Sequence, residues 1–306
     1  MQKIKENIPL ARLTTFEIGG TARYMTEARK DDDIRGAIQW AKEKGMRLVV
    51  LAGGSNVLVP DEGLDALVVR LVGNLYSVSD GVVDAWAGTN LLVLVRALGA
   101  QGWGGWEKLA GIPGTVGGAV RGNAGAFGSE IKDFVTEVRA LNIDNGEVRE
   151  FANSEGDFSY RHSFFKDHSE WIILRVQVKL VHVEPAESAK LAEETIVERE
   201  RRHLQNVKAA GSFFMNPKAP PDIVAMFEKE KKVRSREGRV PAGWLIEKAG
   251  MKGASVGGAI ASLQHPNYIV NQGGATSHDV CNLAQVIKLE VENQFGVELH
   301  EEATVL

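Results

Sequence analysis

Apolar and polar positions follow two periods along this chain. Residues 32–43 set Ile34, Ile38 and Ala41 on one face at helical spacing, with Asp32 or Asp33 to cap the start and Gly45 to stop the end. Residues 47–52, apolar from Leu48 onward, read as a buried strand that empties into Gly53-Gly54-Ser55-Asn56. A strand is predicted over 64–71, an alternating strand over 82–87, and an apolar helix from the cap Asn90 to residue 100. Residues 137–144 and 147–151 read as a hairpin, because Asn145-Gly146 suits a type I′ turn. Over 171–181, Ile172, Leu174, Val176, Val178 and Leu180 alternate with Ile173, Arg175, Gln177 and Lys179, the pattern of a strand with one wet face. A composition break at Glu184-Pro185 precedes a charged helix over 186–206 with few apolar anchors, and a capping box, Thr276-x-x-Asp279, opens a last helix that ends at Gly296.

Hairpins mixed with helices, without regular β-α-β alternation, predict an α+β protein of at least three structural units, over 1–70, 71–183 and 184–296. Composition narrows the function classes. With 306 residues, 44% hydrophobic and 25% charged, the chain is ordinary for a soluble globular protein, and a net charge of −4 with a pI near 6.0 calls for no nucleic-acid surface. A single cysteine, Cys281, excludes an internal disulfide, and no metal-ligand spacing is present. No run approaches the ~20 apolar residues of a membrane span. Residues 1–10 lack the apolar core of a secretion signal, so a cytoplasmic protein with no membrane partner is expected.

Glycine is the informative deviation. The chain holds 33 glycines, and 111, 114, 117, 118, 122, 125 and 128 fall in one stretch that lacks regular periodicity from 102 to 128. A turn needs one or two; a backbone wrapped around a flat, phosphate-bearing ligand uses many. The neighbours Ile112, Pro113, Val116, Ala119, Ala124 and Phe127 are too apolar for a solvated loop. Gly53-Gly54-Ser55-Asn56 is a second such place, a nest of N–H groups and small polar side chains suited to phosphate oxygens. Neither segment has the spacing of a Rossmann fingerprint.

Thr15-Phe-x-Ile-Gly-Gly20, Gly-Gly-Ser-Asn-Val-Leu at 53–58, Gly-Ile-Pro-Gly-Thr-Val-Gly-Gly-Ala at 111–119 and Gly-Asn-Ala-Gly-Ala-Phe-Gly at 122–128 occur in that order. In this the chain resembles the UDP-N-acetylenolpyruvoylglucosamine reductase family over nearly its whole length, in the shorter subtype that lacks an extra tyrosine-bearing loop. The resemblance implies a two-part FAD-binding domain of the vanillyl-alcohol oxidase/p-cresol methylhydroxylase type and a C-terminal α+β substrate-binding domain, with 297–306 returning to the active site. It also implies NADPH-dependent reduction of an enolpyruvyl nucleotide sugar in peptidoglycan precursor synthesis by a monomer. FAD contacts are expected from Gly53, Gly54, Ser55, Asn56, Pro113, Gly114, Thr115, Gly117, Gly118, Gly122, Asn123, Ala124 and Gly125. The first histidine is His162 and the one cysteine is Cys281, so the glycine segments offer no side chain for a covalent flavin link.

Reducing an enolpyruvyl ether needs a hydride donor, a cation for the substrate carboxylate and a proton for the α-carbon. Arg161, in Ser-Tyr-Arg-His-Ser-Phe-Phe-Lys, is a planar permanent cation suited to a carboxylate, and the family motif gives it that role. Ser212, in Gly-Ser-Phe-Phe-Met-Asn-Pro, reads on residues alone as a linker turn, and the resemblance makes it the proton donor. Met215 stands where many members carry Lys. Glu302 has Glu301 as an adjacent rival; the family places the catalytic Glu three residues after a Leu, here Leu299, before a short apolar strand. Tyr160, Asn216, Lys252, His265 and Asn267 are expected to contact substrate, and Trp244 fits a core position as well as a ligand wall. Two alternatives use the same glycine segments: another FAD-dependent oxidase or dehydrogenase, and a non-catalytic nucleotide-sugar-binding protein.

Overall fold

The computed structural model describes residues 3–202 and 207–306, which form two compact units. The first unit takes residues 1–8, 22–54 and 65–202; the second takes 9–21, 55–64 and 203–306.

In the first unit a four-stranded sheet runs in the order Lys5–Pro9, Thr21–Ala28, Leu64–Leu71, Arg47–Leu51, the last two parallel with Val49 opposite Val68. Helix α1, Asp31–Lys44, buries Ile34, Ala37, Ile38 and Ala41 and ends at Gly45 with φ 62°. Its start differs from the expected cap. Lys30 is the N-cap residue and makes no side-chain cap bond, while Asp31, Asp32 and Asp33 lie in the first turn, facing the positive end of the helix dipole. The second sheet has the order Val148–Ala152, Val135–Asn142, Trp171–Lys179, Val82–Trp86, Tyr76–Ser79. Its wet face carries the Arg175–Asp84 pair at 2.7 Å, and Leu174, Val176 and Val178 point into the core. The connection after Asn142 is wider than a two-residue turn. The Asn142 side chain accepts from the N–H groups of Asp144 and Asn145, Gly146 donates to the Asn142 carbonyl, and Asn145 lacks the positive φ of a type I′ turn.

Helix α2, Leu91–Gly99, starts as expected, with the Asn90 side chain accepting from the Val93 N–H. The glycine-rich stretch contains an unforeseen helix, α3, Val116–Arg121, and α4, Phe164–Asp167, follows the Arg161 turn. The charged helix, α5, is observed over Pro185–Arg202; residues 203–206 of its expected span lie outside the described residues. It belongs to the first unit rather than opening the next. Its anchors are small: Ser188, Ala192 and Thr195, spaced four and three apart, are buried. The Ser188 hydroxyl donates at 2.6 Å to Glu107, a carboxylate only 3% exposed that also accepts from the Gly105 N–H.

The second unit carries α6, Pro221–Lys231, α7, Ala242–Lys248, and α8, Ser277–Phe295, around a sheet of Ser255–Val256, Ala259–Ala261 and Ile269–Asn271. Val280, Leu283, Ala284, Ile287 and Val291 form the buried stripe of α8, and Trp244 is core. The capping box forms as read, Thr276 with Asp279, and Gly296 ends the helix at φ 62°. A second cap comes from far away in sequence. The Asp61 carboxylate accepts from the Ser277 N–H at 2.8 Å and the Ser277 hydroxyl at 2.7 Å, and from the His278 N–H. Partial burial pulls the Asp61 pKa up, but these bonds outweigh it and hold the group below its ordinary range. Because the folded value is the lower one, the stabilisation is present above the ordinary carboxylate pKa and is lost as pH falls through the folded value. Asp61→Ala should therefore cost about 1 kcal/mol in urea unfolding at neutral pH. The gap from the parent should narrow below pH ~3.9; a gap independent of pH would refute the charged-cap account.

Candidate active site

The glycines of the first unit divide by what requires them. A Cβ on Gly53 would lie 2.8 Å from the Gly114 Cα, so the two glycine segments touch backbone to backbone. Gly117 packs on Ala87, where a Cβ would meet a methyl at 2.7 Å, and Gly125 packs on the Ser129 carbonyl at 2.7 Å. Gly118 and Gly122 differ. Both have ordinary negative φ, and no protein atom lies closer than 3.5 Å to a Cβ built on either. Helical glycine costs ~0.5–1 kcal/mol relative to alanine. Neither conformation nor packing requires glycine at these two positions, as at the exposed Gly36 of α1; what sets Gly118 and Gly122 apart is their place in the glycine-rich stretch, where bare backbone leaves room for a ligand. Gly53 and Gly118 are exposed, and Thr115 closes the start of α3 by accepting from the Gly118 N–H. A bare, exposed backbone held by internal bonds fits a flat phosphate-bearing cofactor such as FAD.

Asn123 is 0% exposed, so its side chain cannot reach a cofactor. Its amide nitrogen donates to the Ser159 carbonyl at 2.8 Å and to Glu130 at 3.2 Å, and its oxygen accepts from the Lys132 N–H. The Asn123 side chain thus contacts the Arg161 turn, which leaves its backbone for any contact with FAD. That turn is tight: Ser159 and His162 exchange both backbone bonds, with Tyr160 and Arg161 at the tip and Arg161 at φ 57°. The Arg161 guanidinium donates to the Gly125 carbonyl at 3.2 Å and lies 5.2 Å from the Tyr160 ring centre. The Arg161 carbonyl accepts from Lys166 Nζ at 3.1 Å, and the Ser163 hydroxyl donates to the Arg121 carbonyl at 2.7 Å.

Ser212 and Glu302 come together in the second unit. The Glu302 N–H donates to the Phe213 carbonyl at 2.7 Å, and the Met215 N–H donates to the His300 carbonyl. On the other side, the Asn267 side chain pairs with Phe214 as a peptide group would, accepting from its N–H at 2.9 Å and donating to its carbonyl at 2.8 Å. Asn267 is 3% exposed with both amide ends engaged on Phe214, so its side chain clamps the segment that carries Ser212. Asn56 donates at 3.0 Å to the Glu302 carbonyl, and so holds the last strand in addition to any role beside a cofactor. The strands Val57–Leu58 and Thr304–Val305 run parallel next to it. Glu301 is ion-paired with Lys288 at 3.0 Å, which separates it from Glu302.

Of the other expected substrate residues, Asn216 is half-buried, and its side-chain oxygen accepts from the Ala242 N–H. Lys252 is exposed and paired with Glu247 at 2.9 Å. His265 packs edge-on to Tyr268, and burial lowers its pKa, leaving a neutral ring. Asn56, Asn123 and Asn267 were expected at the site as ligand contacts; their bonds to Glu302, Ser159 and Phe214, and the part of Ser163 and Lys166 behind Arg161, escaped sequence reasoning. Asparagine's tolerance of left-handed backbone, which Asn123 shows at φ 41°, is the one signal that could have marked that residue.

Two family profiles match the chain: an FAD binding domain over residues 22–152, and the C-terminal domain of UDP-N-acetylenolpyruvoylglucosamine reductase over 202–306. The chain is 36% identical to the UDP-N-acetylenolpyruvoylglucosamine reductase of Solibacter usitatus, over 98% of its own length and 95% of that protein. The chain belongs to the UDP-N-acetylenolpyruvoylglucosamine reductase family. The reductase of Caldanaerobacter subterraneus is 35% identical, with 99% and 94% of the two chains covered. The crystal structure of the reductase from Thermus caldophilus superposes with a TM-score of 0.78 at 31% identity, over 100% of this chain and 99% of that one. In this family member both glycine segments lie inside the matched FAD-binding region, and Ser212 and Glu302 inside the matched C-terminal domain. Arg161 falls between the two matches.

The glycine argument makes a separable demand on Gly118→Ala. The variant apoprotein should be as stable as the parent or up to ~1 kcal/mol more so in thermal unfolding. Its FAD dissociation constant should rise about ten-fold or more, a loss of at least ~1.4 kcal/mol of binding. Unchanged FAD affinity would remove the ligand from this backbone.

Proposed function

We propose that the enzyme uses FAD and NADPH to reduce UDP-N-acetylglucosamine enolpyruvate to UDP-N-acetylmuramate, in the cytoplasm, as a monomeric step of peptidoglycan precursor synthesis. The observation that carries this reading is family membership along the whole chain, joined to a glycine-rich backbone in which Gly118 and Gly122 are required by neither packing nor backbone conformation. Among the described residues no helix is long and apolar enough to cross a membrane.

The chemistry supplied by bound FAD is two-electron: acceptance of a hydride from NADPH and its delivery to the β-carbon of the enolpyruvyl group. The backbone of residues 53–56 and 111–125 would hold that cofactor, with Gly118 and Gly122 giving the closest approach. Arg161 binds the substrate carboxylate. Its charge is permanent, so it stabilises the negative charge that grows there as the β-carbon is attacked, without a proton leaving the guanidinium. The turn presents Arg161 from a left-handed residue braced on both flanks, so little reorganisation is needed when substrate arrives. Ser212 Oγ gives its proton to the α-carbon, completing addition of hydride and proton across the double bond. A serine hydroxyl is a weak acid, but the enediolate-like carbanion of the substrate is a strong base. Glu302 acts beside the same carboxylate; Glu301, held by Lys288, does not.

Ser212→Ala separates the half-reactions. Flavin reduction by NADPH should continue at the parent rate, while flavin reoxidation by the enolpyruvyl nucleotide sugar should fall at least ~100-fold in stopped-flow absorbance, the scale of a lost general acid. Equal rates for parent and variant in both halves would overturn the proton-donor assignment.

A further inference from the structure

Arg161 is held in a conformation that a free chain avoids, and the bonds that hold it come from the glycine-rich segment. The Asn123 amide donates to the Ser159 carbonyl at 2.8 Å, at the base of the two-residue tip. Glu130 and the Lys132 N–H fix that amide from the other side, at 3.2 Å and 3.3 Å, so it has one orientation. Ser163 ties the far side of the turn to the Arg121 carbonyl at 2.7 Å, and the Arg121 guanidinium donates to the Lys166 carbonyl at 3.4 Å. Lys166 in turn donates to the carbonyl of Arg161 itself, and the guanidinium reaches back to Gly125. The turn is thus fastened at residues 159, 161, 163 and 166 to residues 121, 123 and 125. On the glycine-rich side of this set, Asn123 is the residue that is wholly buried and bonds the base of the turn through its side chain.

We infer that Asn123 is a positioning residue for substrate reduction, its buried side chain setting the direction of the Arg161 guanidinium through Ser159 rather than touching FAD or substrate, whatever its backbone does beside the cofactor. This inference rests on the reading that Arg161 binds the substrate carboxylate. It assigns the Asn side chain of the glycine segment to the second half-reaction instead of to cofactor binding. Reduction of the flavin by NADPH makes no use of the substrate carboxylate and should not sense Asn123.

The test is a double-mutant cycle in the FAD-loaded enzyme with Asn123→Gly and Arg161→Lys, following flavin absorbance through both half-reactions. Glycine suits position 123, because it takes the left-handed φ of 41° without strain and removes only the side chain. Asn123→Gly should retain FAD and reduce it with NADPH at the parent rate, while reoxidation by UDP-N-acetylglucosamine enolpyruvate slows about ten-fold or more, as expected for a displaced cation. Combined with Arg161→Lys, the same change should cost less than about two-fold, because the group it directs is already altered. Equal losses with and without Arg161→Lys would overturn the inference, since Asn123 would then act independently of Arg161. Loss of FAD or slowed reduction by NADPH would overturn it in favour of a cofactor role, and unchanged reoxidation would overturn it outright. If Arg161→Lys alone left reoxidation untouched, the assignment of Arg161 would fail, and the inference with it. Asn123→Asp, which keeps the shape and the acceptor for Lys132 but loses the donor to Ser159, is read by the same outcomes if the glycine variant does not fold.

Discussion

Backbone outside helices and ladders leaves N–H and C=O groups that must find partners when buried. Arg161, Ser212 and Glu302, the residues proposed to do the chemistry, all sit on such backbone. Asparagine solves the problem because its amide has the donor and acceptor of a peptide group on a short arm. Asn267 pairs with both groups of Phe214 as a neighbouring strand would, Asn123 takes the carbonyl of Ser159, and Asn56 takes that of Glu302. The bonded residues lie two from Ser212, two from Arg161 and on Glu302 itself, so the precision of each group depends on one amide. At Asn123 and Asn267, which are buried, a deleted amide leaves a peptide group without its partner, a cost of ~1–3 kcal/mol at a point where an ångström matters more than stability.

The same segment shows how glycine can be read by elimination. Gly53, Gly117 and Gly125 are required by neighbouring atoms of the protein, and Gly45 and Gly296 by left-handed helix ends. Gly118 and Gly122 are required by neither. The sequence alone treats all of them alike, and the geometry around each missing Cβ separates glycines that the protein itself requires from those it leaves open.

What could be read in advance was local. Asn90 and Thr276 as caps, Gly45 and Gly296 as stops, and the alternation over 174–179 depend on residues within a turn or two of each other, and they appear as expected, whereas Ile173, expected on the wet face, is buried beside a register shift in the ladder. What could not be read is set by partners far along the chain. Asp61 capping α8 spans 216 residues, and Asn56 on Glu302 spans 246. Helix α5 looked unanchored because its buried positions are Ser188, Ala192 and Thr195, small or polar residues that pass for surface when hydrophobicity is counted. The asparagines misled for a chemical reason: the donor and acceptor that would mark a ligand contact are the same two that mark a backbone clamp.

The last strand shows the consequence for the site. Thr304–Val305 is too short to be stable as a strand on its own, and its order is borrowed from Val57–Leu58, to which it runs parallel. That partner directly follows the Gly-Gly-Ser-Asn loop. The Asn56 carbonyl accepts from the Thr304 N–H while its side chain donates to the Glu302 carbonyl, so one residue grips both sides of Ala303, whose side chain is itself buried in the core. Lys288 removes Glu301 from competition by pairing with it. Glu302 is therefore fixed by the backbone that leaves the first glycine loop, not by the sequence around it. A change that altered the path of that loop would displace the carboxylate even if every residue from 297 to 306 were kept.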